Sequence, residues 1–363
     1  MFCILAFIVF LVLYPILGIF SPTYRYLFKK SFSCVFKKIT LKPCDIDLKT
    51  EIKGKLIGKS LAKNPKFIKF FDKSFDIIAF IVVVLSIWSL GYTIVAGLNL
   101  FVYDTCTASS GESCSLSGEA CGVSSGAPTF RQAIDQNRLG EWAVSPFTQF
   151  ARTVSLVPSR LTTWNPDDFV SDTSTYYTFN ESNPTALEII DPGCQFCRQL
   201  YLNIDNTDFT DRYNLTYIAY PIPDENTKSG YKFQHSYLLT TYLEATKLIT
   251  PQTSNSELTP DWFLLNAIFT RDGESTSTLQ DEFNLVYTEQ EAIDKVHELL
   301  AEYGYTQQEI DEVEELRTSD QIAQTISSER RIVEEDISTI RIPTIMFNGR
   351  RYDRVIDEDT LNQ

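Results

Sequence analysis

The chain has 363 residues, 44% of them hydrophobic and 22% charged, which allows a sizeable core and more than one domain. Its net charge of −15 is unevenly spread: residues 1–75 carry 14 Lys and Arg against 4 Asp and Glu, whereas residues 104–363 carry 18 against 42. The acidic C-terminal part excludes nucleic-acid binding, because contacts to phosphate require positive charge.

Two apolar segments near the N-terminus, residues 2–20 and 77–103, are long enough to cross a bilayer, for which about 20 residues suffice. The first lacks a basic n-region and a small-residue cleavage site, so we expect a membrane helix rather than a cleaved signal peptide. The loop between them, residues 21–76, contains 13 lysines and is expected to be cytoplasmic by the positive-inside rule. Residues 1–103 are therefore a predicted membrane anchor, and the chain beyond Tyr103 is placed on the extracytoplasmic side of the cell membrane.

A Ser/Gly-rich linker, residues 104–128, follows the anchor and contains Cys106, Cys114 and Cys121. Three cysteines cannot all pair with one another. We expect a Cys114–Cys121 disulfide, which leaves Cys106 free or intermolecular; the alternative is a role in passing electrons to the cysteines further along the chain. The aromatic residues of 129–183 then predict an ordered extension.

The most specific chemical signal is a Cys-x-x-Cys pair near the start of a C-terminal domain, residues 184–363. Residues 186–190 predict a buried strand, residues 191–193 interrupt it, and a helix begins at Cys194 with Cys197 one turn later. The unpaired N–H groups of a helix N-terminus favour negative charge, so Cys194 is expected to have a lowered pKa and to be reachable by solvent and substrate. The spacing predicts a redox-active Cys194–Cys197 disulfide.

The same two cysteines are also compatible with half of a zinc site or with a static structural bridge. Zinc takes about four ligands. The chain has only two histidines, His235 and His297, and no second Cys-x-x-Cys motif. We therefore expect neither a metal nor another cofactor.

The order strand, Cys-x-x-Cys, helix, followed much later by Ile342-Pro343 and the hairpin signal Asn348-Gly349, resembles the thioredoxin superfamily. Helical spacing and two capping boxes between residues 227 and 338 resemble the helical insertion of DsbA-like oxidoreductases. The resemblance implies an α/β, thioredoxin-like fold with an inserted helical subdomain.

The resemblance also implies roles for individual residues. Glu188, six residues before the first cysteine, would take the proton of Cys197, and Ile342-Pro343 would be the cis-proline loop along which substrate binds. Phe196 adds an apolar substrate contact. The residues inside the motif, Gln195 and Phe196, depart from the pairs that are commoner in the family, and such residues tune the reduction potential.

These features predict a membrane-anchored, extracytoplasmic thiol-disulfide oxidoreductase that acts on the cysteines of exported proteins. Because the chain has two membrane segments and no recognisable quinone site, a separate membrane redox partner is expected. Two alternatives stay open: a reductase or isomerase rather than an oxidase, and a thioredoxin-like binding module whose cysteines only lock the fold.

Overall fold

The structure, a computed structural model, describes the following residues: 89, 91–102, 120–122, 130–158, 161–250, 258–339 and 341–362. The chain divides into two compact units, Met1–Val95 and Ala96–Gln363. All of the strands that the structure describes lie in the second unit.

The predicted membrane anchor falls largely outside the described residues. The whole segment 2–20, the basic loop 21–76 and most of the first half of the segment 77–103 lie outside the described residues. In the second half of that last segment, residues 91–102 are helical. In the part of the chain that the structure describes, no helix combines the length and the apolar character that crossing a bilayer requires.

Beyond the helical residues 91–102, the described part of the second unit contains a short strand and two helices and continues into alternating strands and helices. In chain order its elements are β1 (Cys121–Gly122), α1 (Phe130–Asp135), α2 (Leu139–Ser155), a 3₁₀ turn (Pro166–Phe169), β2 (Thr185–Ile190), α3 (Gln195–Asp205), α4 (Phe209–Arg212), β3 (Asn214–Ala219), α5 (Ser236–Ile249), α6 (Pro260–Thr270), α7 (Leu279–Leu285), α8 (Glu289–Tyr303), α9 (Gln307–Arg317), α10 (Asp320–Arg331), a π-helical turn (Ile332–Ile337), β4 (Arg341–Ile342), β5 (Thr344–Phe347), β6 (Arg350–Tyr352) and α11 (Glu358–Leu361).

The central sheet has four strands in the order β3-β2-β5-β6. β2 is parallel to β3 and antiparallel to β5, so that Glu188 lies opposite Tyr217 on one side and Ile345 on the other. β2 is an almost continuous apolar run because both of its faces are covered. This is the α/β, thioredoxin-like arrangement that the sequence predicts.

The hairpin between β5 and β6 has the geometry that its sequence demands. Asn348 and Gly349 form a two-residue loop with φ of 49° and 73°, and Phe347 pairs with Arg350 across it. Two consecutive positive φ values define a type I′ turn, which Asn-Gly adopts readily. The predicted turn is confirmed.

Among the residues described between β3 and β4 there are six helices, α5 to α10. Both predicted capping boxes form: Thr288 with Glu291 begins α8, and Thr306 with Glu309 begins α9. Gly304 ends α8 in the left-handed conformation, with φ of 117°. Local sequence therefore sets where these helices begin and end.

The central helix of this block, α5, contains a buried ion pair. Lys247 Nζ lies 2.6 Å from Glu244 Oε1, and the two side chains are only 3% and 2% exposed. Lys247 Nζ also lies 4.2 Å from the centre of the Tyr217 ring on β3. Burial lowers the pKa of Lys247, but the neighbouring charges of Glu244, Glu329 and Asp261 outweigh it and leave that pKa raised. The contact of Lys247 with the Tyr217 ring joins this helix to the sheet.

Candidate active site

The Cys-x-x-Cys motif begins helix α3 as predicted. Cys194 is the N-cap residue, with φ of −83° and ψ of 118°, and Cys197 lies in the first turn. Gly193 has no room for a side chain, because a Cβ there would lie 2.5 Å from Phe233 Cβ and 2.9 Å from Asn284 Oδ1. Close packing therefore requires glycine at position 193.

Asp191, at the end of β2, holds the loop in front of the motif. Its carboxylate accepts hydrogen bonds from Gly193 N at 2.8 Å, from Ile222 N at 2.7 Å and from the Ser236 hydroxyl. Burial raises the pKa of Asp191 to about 6 although these donors oppose the rise. The sequence predicts Asp191 only as part of the break that follows the strand. An Asp before Pro-Gly is a known turn signal, but its contacts to Ile222 and Ser236 are distant in sequence.

Cys197 is a completely buried thiol beneath the motif. The backbone N–H of Asp191 donates a hydrogen bond to its Sγ at 3.3 Å. Burial raises the pKa of Cys197 well above its ordinary value, and the charge of Glu188 raises it further. Cys197 is thus a neutral thiol that needs a proton acceptor before it can react.

Glu188 is the buried acid that is expected to accept this proton. Its side chain is 1% exposed, and Oε1 has no hydrogen-bond partner in the described part of the chain. Burial alone raises the pKa of Glu188 to about 8. The carboxyl group of Glu188 therefore holds its proton at neutral pH. In its ionised form, its negative charge raises the pKa of Cys197.

The loop predicted to bind substrate lies against the motif. The Ile342–Pro343 peptide bond is cis, and Cys194 Sγ lies 3.9 Å from the carbonyl oxygen of Ile342. Cys194 has no thiol hydrogen in this structure, so this is a contact and not a hydrogen bond. Phe196 is half-buried and packs on the main core, which leaves only part of its ring for a substrate.

The disulfide in the structure differs from both predicted pairings. Cys194 is bonded to Cys121, at a Cα–Cα distance of 6.7 Å and 73 residues away in sequence. Neither Cys194–Cys197 nor Cys114–Cys121 is present, and Cys114 itself lies outside the described residues. Cys194 is completely buried, so the expectation that solvent reaches it is wrong for this state. The physical reason is that strand β1 pairs with β4 and carries Cys121 to the motif, a contact that spacing along the chain cannot reveal.

Helix α7 of the helical block clamps the motif from the other side. Gln280 Nε2 donates hydrogen bonds to Pro192 O at 2.8 Å and to Cys194 O at 3.2 Å, and Asn284 Nδ2 donates to Gly193 O at 2.8 Å. Gln280 is only 2% exposed. No motif in the sequence singled out these two amides. They supply donors to Pro192 O and Gly193 O, and Cys194 O also accepts a helical hydrogen bond from Arg198 N.

Both histidines have other partners. His235 Nε2 lies 2.9 Å from Tyr287 O, and His297 Nε2 lies 3.1 Å from the Tyr242 hydroxyl and 3.2 Å from Glu314 Oε2. Among the described residues there is no group of three His, Cys, Asp or Glu side chains that could hold a metal ion.

No protein-family model matches the sequence, and no curated protein matches it either. Solved structures with a similar fold include the thiol-disulfide exchange protein α-DsbA2 from Wolbachia pipientis, at 14% identity and a TM-score of 0.39, covering 54% of this chain and 87% of that one. Another is ScsC from Proteus mirabilis, at 9% identity and a TM-score of 0.37, covering 65% and 95%.

A third similar structure is MdbA, a thiol-disulfide oxidoreductase from Corynebacterium matruchotii, at 13% identity and a TM-score of 0.36, covering 50% of this chain and 84% of that one. All three TM-scores lie below 0.5 and all three identities below 15%, values too low to transfer an activity. A function for this chain has to be built on its own residues.

Proposed function

We propose that the chain is a membrane-anchored thiol-disulfide oxidoreductase that acts outside the cytoplasm on the cysteines of exported proteins. One observation carries the proposal: Cys194, at the start of a helix and against the Ile342–Pro343 loop, is bonded to another cysteine while the free thiol of Cys197 lies one turn away. This is the arrangement that disulfide exchange requires, an attacking or attacked sulfur next to a resolving one.

The exchange proceeds through a mixed disulfide. A client thiolate attacks Cys194 in the Cys194–Cys197 disulfide, bonds to Cys194 and releases Cys197, which takes up a proton. A second client thiolate then displaces Cys194, and the client leaves with a disulfide while both protein cysteines are reduced. Reversal of these steps reduces a client disulfide. Gln195 and Phe196 set the preferred direction through the thiolate stability of Cys194.

Glu188 acts on the resolving cysteine in both directions. Cys197 must lose a proton before it attacks Cys194, and Glu188 lies in the same buried region, with a raised pKa of its own. In its carboxylate form Glu188 accepts this proton, and in its protonated form it returns the proton when Cys197 is released.

The membrane location and the clients are proposed from charge and topology. The 13 lysines of residues 21–76 favour a cytoplasmic loop, which leaves residues 104–363 in a compartment where disulfides persist. Clients are proposed to add an extended strand beside Ile342, because backbone hydrogen bonds suit many unfolded sequences. A separate membrane protein is proposed to exchange electrons with Cys194 and Cys197.

A thioredoxin-like binding module is the second candidate. The complete burial of Cys194 in its bond to Cys121 favours it, because a structural bridge is normally shielded in this way. In that case the disulfide persists in the presence of thiols, and Cys197 does not participate.

A glutathione titration separates these functions. The purified full-length chain is equilibrated with glutathione couples of increasing reducing strength, quenched in acid and alkylated, and the thiols of Cys194 and Cys197 are counted by mass spectrometry. Exchange at both cysteines supports the oxidoreductase, and a high or low midpoint potential assigns an oxidase or a reductase. A Cys121–Cys194 bond that survives every couple in the folded protein supports the binding module.

A further inference from the structure

We propose that Cys121 is a third redox-active cysteine, an internal substrate that occupies the place of a client and exchanges with Cys194 and Cys197. This role, which rests on the proposed function, makes the linker before the C-terminal domain a competitor for the site. It follows from where the segment around Cys121 lies and from what surrounds its sulfur.

The segment forms a strand on the edge beside the cis-proline loop. Cys121 lies opposite Ile342, and Gly122 lies opposite Arg341, in an antiparallel pair. Ala120 and Cys121 are 2% and 5% exposed, so the segment is seated in the site and not merely near it. An extended peptide added to a free strand edge is how a client is expected to bind.

The bond that the segment makes is also the one expected of a client. Cys121 is joined to Cys194, the sulfur at the helix start, while Cys197 remains a thiol. A mixed disulfide between a client and this site has the same composition: one bond from the client sulfur to Cys194, and a resolving thiol one turn away. Strand pairing and disulfide together give the segment both features of a bound client.

The attachment is small, which suits release. Strand β1 has two residues, and Lys232 Nζ donates a hydrogen bond to Gly122 O at 3.3 Å. The surrounding linker sequence, residues 104–128, is rich in Ser and Gly. Strand pairing of this length holds weakly once the covalent bond is broken.

The proposed exchange needs no external oxidant or reductant. Cys197 gives its proton to Glu188 and attacks Cys194; the Cys194–Cys197 bond forms, the Cys121–Cys194 bond breaks, and Cys121 leaves as a thiolate that takes up a proton. The number of disulfides among Cys121, Cys194 and Cys197 is one before and after the step. The two isomers are a closed form, with the strand edge covered by residues 120–122, and an open form, with the edge available to a client.

Competition between the tethered Cys121 and a client peptide for Cys194 can be measured as a change in reaction rate. A tethered group acts at an effective concentration of the order of ~1 mM, so a client peptide supplied at about 0.1 mM competes at roughly a tenfold disadvantage. Removing the internal substrate with Cys121→Ser is therefore expected to speed the reaction of the oxidised full-length chain with a cysteine-containing peptide by roughly tenfold. Cys114→Ser, which removes a cysteine from the same linker, is the matched control and should react at the native rate.

Disulfide mapping on the same full-length proteins supplies the second readout. After acid quenching and digestion without reduction, the native chain and Cys114→Ser should both contain Cys121–Cys194 and Cys194–Cys197 linked peptides. Cys121→Ser should contain only Cys194–Cys197. A more reducing glutathione couple should lower the total of the two linked forms in the native chain and leave their ratio unchanged, because the two isomers contain the same number of disulfides.

The outcomes separate the internal substrate from the proposed function. If Cys194 and Cys197 exchange with glutathione but no Cys121–Cys194 peptide is found, or if Cys114→Ser accelerates the reaction as much as Cys121→Ser, the internal substrate is refuted and the oxidoreductase stands. If Cys121–Cys194 persists under every couple and Cys121→Ser forms no Cys194–Cys197 bond, both proposals fail.

Discussion

The Glu188→Gln variant is expected to be more stable than the native chain at alkaline pH and yet slower in disulfide exchange. Glu188 lies in the middle of β2, opposite Tyr217 and Ile345, and is 1% exposed. Gln has the same shape and carries no charge at any pH. The substitution therefore removes the cost of a buried carboxylate together with the proposed proton acceptor.

The size of the stability effect follows from the pKa of Glu188, which burial raises from 4.5 to about 8. A raised pKa means that the folded state binds the proton more tightly than the unfolded state does. This contribution to stability is fully present below pH 4.5 and is lost as the pH rises through about 8. One pKa unit corresponds to about 1.4 kcal/mol, so the loss over this range amounts to about 5 kcal/mol.

The assay is urea unfolding of the full-length native chain and of Glu188→Gln between about pH 5 and pH 8. The free energy of unfolding of the native chain should fall relative to that of the variant by up to about 1.4 kcal/mol per pH unit. Taking the difference between the two proteins cancels the other titrating groups, including Asp191. Glu181→Gln, at an exposed position before β2, is the control and should follow the native curve.

The kinetic effect runs in the opposite direction. With a pKa of about 8, Glu188 is a carboxylate in about one molecule in ten at pH 7, so attack by Cys197 should speed up as the pH approaches 8. Glu188→Gln should lose this acceleration. Parallel stability curves for the native chain and Glu188→Gln, or an unchanged pH profile of exchange, would refute the assignment of a buried carboxyl group that serves Cys197.

Three further predictions concern the loop, the buried ion pair and the topology. Asp191→Ala leaves the buried N–H groups of Gly193 and Ile222 without acceptors, each costing about 1–3 kcal/mol. Urea unfolding should therefore show a loss of stability of at least about 2 kcal/mol, and a loss under about 0.5 kcal/mol would contradict the role of Asp191 in holding the loop. Lys247→Met leaves Glu244 as an uncompensated buried charge and should lower the free energy of unfolding by about 3–5 kcal/mol. The double variant with Glu244→Gln should restore most of this loss. No recovery in the double variant would show that the loss does not come from the unpaired charge of Glu244. In intact cells an impermeant thiol reagent should leave Cys44 unlabelled and should label Cys194 after reduction; the reverse pattern would overturn the proposed topology.

Local signals in the sequence were sufficient for much of the fold. The Asn348-Gly349 turn and the capped starts of α8 and α9 depend on residues within four positions of one another, and all three formed as predicted. The helix start at Cys194 depends likewise on the residues directly before it. Patterns of this kind can be recognised in the sequence because the interacting groups are neighbours in the chain.

The contacts that complete the site are distant in sequence and were not predicted. Cys121 reaches Cys194 across 73 residues, and Gln280 reaches Cys194 O from a helix of the inserted block. The sequence predicts Asp191 only as a strand breaker, whereas in the structure its carboxylate accepts a hydrogen bond from Ile222 N, 31 residues away. Which of several cysteines pair is a property of the folded chain, because spacing alone allows many connectivities.

The measurement that tests the central claim most directly is capture of mixed disulfides by variants of the full-length chain. In Cys121→Ser/Cys197→Ser the internal substrate and the resolving thiol are both absent, so client proteins should stay bonded to Cys194 as high-mass species that disappear on reduction. Cys121→Ser/Cys194→Ser, the matched control, retains the buried Cys197 thiol as the last of the three cysteines at the site and should capture few clients. Equal capture by both variants would contradict the assignment of Cys194 as the sulfur that meets clients, and no capture by either would contradict disulfide exchange as the function of this site.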